Sequence, residues 1–128
     1  MSLTSSDWGA VLDFIPVLEL EFQRMETFIG GALSSEEVAE YCDFGQISWE
    51  LFCELVYLGV VREEFFNDDV STYQDRMASG SFQELGYLEI CELLAFCTRE
   101  SAMSSGYFER RLKDKTISNL LQALRNKL

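Results

Sequence analysis

Apolar residues recur along most of this chain at steps of three and four, the spacing of one helix face and not the alternation of a strand. Trp8, Val11, Ile15, Leu18, Phe22, Met25 and Ile29 form the first such stripe. Ser6 is suited to cap it, with Asp7 in the first turn where the helix dipole favours negative charge. Pro16 interrupts the stripe, removing a backbone donor and crowding Leu12. The spacing therefore predicts either one kinked helix over about 7–28 or two shorter ones, ended by Gly30-Gly31.

Ser34 and Ser35, followed by Glu36 and Glu37, open a short second helix that stops by Phe44-Gly45. Ser48 is placed to cap a third, whose apolar side is Leu51, Phe52, Leu55, Val56 and Leu58; the β-branched pair Val60-Val61 blurs its far end. Asn67-Asp68-Asp69 reads as a turn or a cap, with a weak fourth helix over 70–78 that Ser79-Gly80 ends. Ser81 and Glu84 have the spacing of a capping box and open a fifth helix over about 82–103. That segment is apolar nearly all round, so it belongs at the centre of a bundle, with Leu88, Leu94 and Cys91 or Phe96 nearly inaccessible. Gly106 marks a break, Tyr107 to Lys113 one or two turns, and Thr116 the cap of a last helix striped with Ile117, Leu120, Leu121, Leu124 and Leu128. No strand pair alternates, no segment repeats and no linker divides the chain. The expectation is a compact single-domain all-α bundle of five to seven helices around a central apolar helix, spanning 1–128.

Composition sharpens this picture in one respect. The 128 residues are 48% hydrophobic and carry a net charge of −12. The charge is unevenly spread: residues 1–97 hold 19 acids and 3 bases, while residues 98–128 hold 3 acids and 7 bases. Such a surplus repels nucleic acid and anionic membranes, and no apolar run approaches the roughly 20 residues a membrane span needs. Acids stand where a signal peptide would carry Lys or Arg, so the expected place is the cytoplasm. Cys42, Cys53, Cys91 and Cys97 include no close pair. Cys91 and Cys97 share one helix and are too far apart to bridge, and buried thiols in a reducing compartment are the expectation; a pairing of Cys42 or Cys53 with them stays open.

Leu93-Leu94, Thr98-Arg99, Gly106-Tyr107 and Thr116-Ile117 before Leu120-Leu121 resemble the C-terminal pattern of a family of small bacterial proteins classed only as a domain of unknown function, and Gln46-Ile47-Ser48-Trp49 fits it loosely. The chain departs from that pattern at Ser101-Ala102-Met103. The resemblance covers about a third of the chain. It implies a small bacterial helical domain and no activity.

Candidate chemistry is narrow. With no histidine, Ser-His and Cys-His nucleophiles and His-based metal sites are excluded within the chain. Glu36, Glu37 and Glu40 lie on one predicted helix face, and Glu89 and Glu92 on another, so each set offers carboxylates to a divalent ion such as Mg²⁺. The pattern resembles half of the acidic motif of all-α nucleotide pyrophosphatases; the second half, an E-x-x-D, is missing. A solvated helix start explains the same residues. Glu63, Glu64, Asp68 and Asp69 form the densest acidic cluster, which with Phe65 or Phe66 exposed nearby would be a docking surface for a basic protein. Arg99 interrupts the central helix, either pairing with Glu100, Glu92 or another acid, or gripping an anion. Trp8 and Trp49 are expected as core anchors, an exposed Trp being the mark of an interface. These readings favour a non-enzymatic acidic interaction module of inhibitor, immunity-like or charge-mimic type, needing no cofactor. The alternative is a divalent-metal-dependent nucleotide hydrolase using the glutamates.

Overall fold

The first stripe breaks where proline chemistry requires. In the computed structural model, which describes residues 3–30, 44–104 and 106–128, a single turn, α1 (Gly9–Leu12), precedes the long helix α2 (Phe14–Gly30). Pro16 has no N–H to give the carbonyl of Leu12, so the helix stops at Leu12 and restarts beyond Asp13. The entry turn is held by Thr4, not Ser6: the Thr4 backbone N–H and hydroxyl donate to Asp7 Oδ2 at 2.7 and 3.0 Å. Those bonds hold the Asp7 carboxyl below its usual range, the backbone donor contributing most. The expected helix over 34–44 lies outside the described residues.

Helix α3 (Phe44–Leu58) starts four residues before Ser48. That serine sits inside the helix, where its hydroxyl donates to the Gly45 carbonyl at 2.9 Å. The helix ends at Gly59, whose φ of 82° only glycine adopts at little cost. The Val60 N–H reaches the Leu55 carbonyl and the Gly59 N–H the Val56 carbonyl, a Schellman stop that carries Val60 into the core. A short 3-10 turn, Glu63–Phe65, then leads to α4 (Val70–Ser79). Asp69 caps α4, accepting the Thr72 backbone N–H at 2.8 Å and its hydroxyl at 2.7 Å.

Ser81 makes no side-chain cap; Phe82–Glu84 forms a second 3-10 turn instead, and α5 (Tyr87–Met103) begins beyond Gly86. The apolar side chain of Phe82 is buried, so the chain turns inward there before the helix can start. Along α5 the nine residues Ile90 to Thr98 are all buried. Leu94 and Cys91 are fully inaccessible, whereas Leu88, expected to match them, is 48% exposed. Thr98, polar and buried, is satisfied by donating to the Leu94 carbonyl at 2.8 Å.

Gly106, at a φ of 78°, turns the chain into α6 (Tyr107–Lys113), and α7 (Thr116–Lys127) follows. Thr116 is the first residue of α7 and not its cap; its N–H is taken by Asp114 Oδ1 at 2.9 Å. Helix α5 packs against α3, α4, α6 and α7 and against the first 3-10 turn, while α7 covers α1, α2 and the second 3-10 turn. Trp8 is fully buried, and its indole N–H donates to the Tyr87 hydroxyl at 2.9 Å, tying the N-terminal turn to the start of α5. Every regular element among the described residues is helical. None of these helices is long and apolar enough to cross a membrane.

Candidate functional site

The acidic residues singled out from the sequence are mostly occupied with the fold. Arg76 of α4 reaches three carboxylates: Asp68 at 3.1 Å, Glu92 at 3.5 Å and Glu89 at 4.0 Å. Glu92 is buried and also accepts from Asn67 Nδ2 at 2.8 Å, so α5, α4 and the preceding loop are clasped together around it. Glu89 and Glu92 thus face a guanidinium, which occupies the position a cation would take. Glu36, Glu37, Glu40 and Cys42 lie outside the described residues, within which no three acidic or sulfur side chains gather as metal ligands.

The cluster at 63–69 divides in the same way. Glu64 pairs with Arg62 at 3.0 Å, Asp68 with Arg76, and Asp69 serves as the α4 cap. Hydrogen bonds from Thr72 hold Asp69 below the ordinary aspartate range, its hydroxyl contributing most. Phe65, expected as an exposed anchor, is 6% exposed, because the 3-10 turn points it into the core against α5. Phe66 is half-buried and carries Arg99, whose guanidinium lies 4.3 Å from its ring centre and 5.9 Å from that of Phe96. Arg99 therefore stacks on aromatic faces; among the described residues no acid lies within ion-pair reach of it.

The exposed aromatic lies elsewhere. Helix α3 buries Phe44, Ile47, Leu51 and Leu55 on one face. Its opposite face carries Trp49 at 63% exposure, Cys53, Val56 at 50% and Tyr57 at 90%. Trp49, Cys53 and Tyr57 are four apart, and Val56 is three from Cys53, which makes this a continuous ridge. Trp49 is thus no core anchor, since the four buried positions point away from it. The signal available in the sequence is that Trp49 falls off the Ile47–Leu51–Leu55 stripe and is followed by Glu50.

A cleft runs along each side of the ridge. Toward α6 a groove of about 240 Å³ is lined by Trp49, Phe52, Phe108 and Glu109 among others. Trp49 stacks on Phe52 with ring centres 6.2 Å apart, and Phe52 meets Phe108 edge-on at 5.9 Å, so the tryptophan is braced from beneath. Toward α1 a larger cleft of about 430 Å³ has Leu3, Ala10, Val11 and Leu58 as apolar lining, with Tyr57, Asp7, Glu54 and Arg62 around it. Glu50, Glu54, Asp7 and Glu109 place carboxylates on both flanks. Of the nearby cations, Lys113 pairs with Glu109 at 3.4 Å and Arg62 with Glu64.

The cysteines divide by burial. Cys53 is free and exposed on the ridge; Cys91 and Cys97 are free and buried. Burial pushes the Cys91 thiol up to about 11 and the Cys97 thiol up to about 12. Neither is a nucleophile near neutral pH.

No family model, curated protein or solved structure matches the chain.

Proposed function

We propose that this chain is a non-enzymatic protein-interaction module whose recognition surface is the exposed ridge of α3, and that its partner is a basic protein. The observation that carries the reading is Trp49, a braced tryptophan left 63% exposed in a chain that buries its other one completely. Isolated exposed apolar residues are ordinary, but Trp49, Val56 and Tyr57 on one helix face form a patch of the kind found at interfaces. Aromatic side chains of this sort dominate binding energy when a partner desolvates them. Carboxylates on both flanks and a net charge of −12 favour a basic partner through steering of the encounter. Unpaired thiols suit a reducing compartment, in keeping with the cytoplasm. The nucleotide-hydrolase alternative gains no support, because Arg76 already neutralises Glu89 and Glu92.

The experiment is crosslinking from the ridge. A photoreactive residue at Tyr57 should capture a basic protein that the same residue placed at Asp75, on the surface of α4, does not. Trp49→Ala should weaken that complex by at least about tenfold, as expected for truncation of an interface anchor. A captured partner that binds the Trp49→Ala and Val56→Asp variants as tightly as the parent chain would refute the ridge as its recognition surface.

A further inference from the structure

The two clefts beside the ridge differ in what they offer a partner. The groove toward α6 is bounded by the first turns of two helices, at Gly45 and at Phe108, where backbone donors and the positive ends of the dipoles collect. Its one carboxylate among the described residues, Glu109, is already paired with Lys113. The groove is therefore close to electrically neutral and suits an uncharged side chain.

The cleft toward α1 has the opposite character. It lies near the C-terminal end of α3, where carbonyls and the negative end of the dipole collect. Asp7 and Glu54 both line it. Asp7 Oδ2 is committed to Thr4, and those hydrogen bonds keep the group ionised while its second oxygen is not used by them. Glu54 is half-buried and has no hydrogen-bond or ion-pair partner among the described residues. The positive group beside them, Arg62, which also lines the cleft, donates to the Gly59 carbonyl at 2.5 Å, the Leu58 carbonyl at 3.2 Å and Glu64 at 3.0 Å, with its guanidinium over the Phe65 ring. Tyr57 presents an almost fully exposed ring at the cleft edge, and Leu3, Ala10, Val11 and Leu58 give it an apolar lining.

We infer that this cleft between α1 and α3 receives a cationic side chain, arginine or lysine, from the partner, its aliphatic stem lying on Val11 and Leu58 and its charged head held by Asp7 and Glu54 beside the Tyr57 ring. The inference rests on the ridge being a protein-binding face and assigns the chemistry recognised beside it. Charge complementarity selects this occupant. A neutral side chain would leave Glu54 partly desolvated with no partner, and an anion would meet two carboxylates. A ridge-to-ridge pairing with a second copy of this chain is disfavoured, because it would bring the same acids against these. A planar guanidinium meets all three features together, stacking on an aromatic ring while its fork engages carboxylates.

The test uses the full chain labelled with nitrogen-15 and two small probes of the same shape, Nα-acetyl-arginine methylamide and its uncharged counterpart built on citrulline. Amide resonances of Ala10, Val11, Tyr57 and Leu58 should move with the arginine probe, and the citrulline probe should bind at least about fivefold more weakly. Glu54→Gln should reduce the arginine affinity by a similar factor. Asp75→Asn, which removes the same charge from a distant surface, should leave it unchanged. Glu54 has no internal partner to lose, so the variant is expected to fold, which circular dichroism checks. Equal binding of the two probes, or equal effects of Glu54→Gln and Asp75→Asn, would overturn the cation site. Either result leaves the ridge to be judged by its own crosslinking and Trp49→Ala test.

Discussion

Leu88 and Leu94 lie on the same helix, and the same truncation should have different costs at the two positions. Leu94 is fully buried at the middle of α5, the helix that packs against α3, α4, α6 and α7. Shortening it to alanine removes three carbons, a transfer loss of about 2.4 kcal/mol at about 0.8 kcal/mol per buried methylene. The residual cavity adds a penalty of about 24 cal/mol per Å³ that fails to collapse, which brings the whole to about 3–5 kcal/mol. Leu88 is 48% exposed, leaves no enclosed void, and should cost about 1 kcal/mol. Urea denaturation followed by circular dichroism, with a common m-value, measures both. A loss below about 1 kcal/mol for Leu94→Ala, or equal losses at the two sites, would refute the placement of α5 at the centre of the core.

Arg76→Ala should destabilise the fold by about 2–3 kcal/mol, less than for a fully enclosed pair because the guanidinium is 27% exposed. In a Glu92→Gln background the same change should cost clearly less, and thermal melts of the four-member cycle would reveal an absence of coupling. Asp7 and Asp69 titrate below the ordinary range when folded, so their contribution to stability is full above an aspartate pKa of about 4 and is lost as pH falls through the lowered values. Asp69→Asn keeps a capping oxygen, so it should melt near the parent temperature at pH 7 while showing a shallower loss below pH about 4. An acid limb as steep as the parent's would contradict the assignment. Native alkylation followed by peptide mapping should label Cys53 readily, and Cys91 and Cys97 only in denaturant; prompt native labelling of either buried thiol would count against the packing of α5.

Helix positions were the most legible feature of the sequence, because three- and four-residue spacing and glycine stops act locally. The fourth, sixth and last segments fall within a residue or two of α4, α6 and α7. The facing of side chains was less legible. A segment apolar nearly all round, such as α5, holds no contrast by which to tell Leu88 from Leu94, and only the packing of α3, α4, α6 and α7 around its middle separates them. Caps failed for a related reason. Ser6, Ser48, Ser81 and Thr116 all have capping chemistry, yet the backbone donors were satisfied by Thr4 and Asp114 or the helix began at another residue. The acidic cluster at 63–69 is exposed, but sequence distance hides Arg76, which lies several residues away and reaches Asp68 and Glu92. Trp49 was misplaced because hydrophobicity alone assigns tryptophan to the core; its phase relative to Ile47, Leu51 and Leu55 carries the correct answer.

The unbroken burial of Ile90 to Thr98 has a consequence for how the molecule exchanges its amide protons with solvent. A surface helix opens one side to water in small fluctuations, and its amides report a range of local openings. A helix enclosed all round has no such side, so these nine amides become accessible only when α3, α4, α6 and α7 have all moved away. They should therefore exchange together, at one rate and with one dependence on denaturant. The middle of α5 would then serve as an internal clock for global unfolding, against which the faster openings of the α3 ridge can be timed.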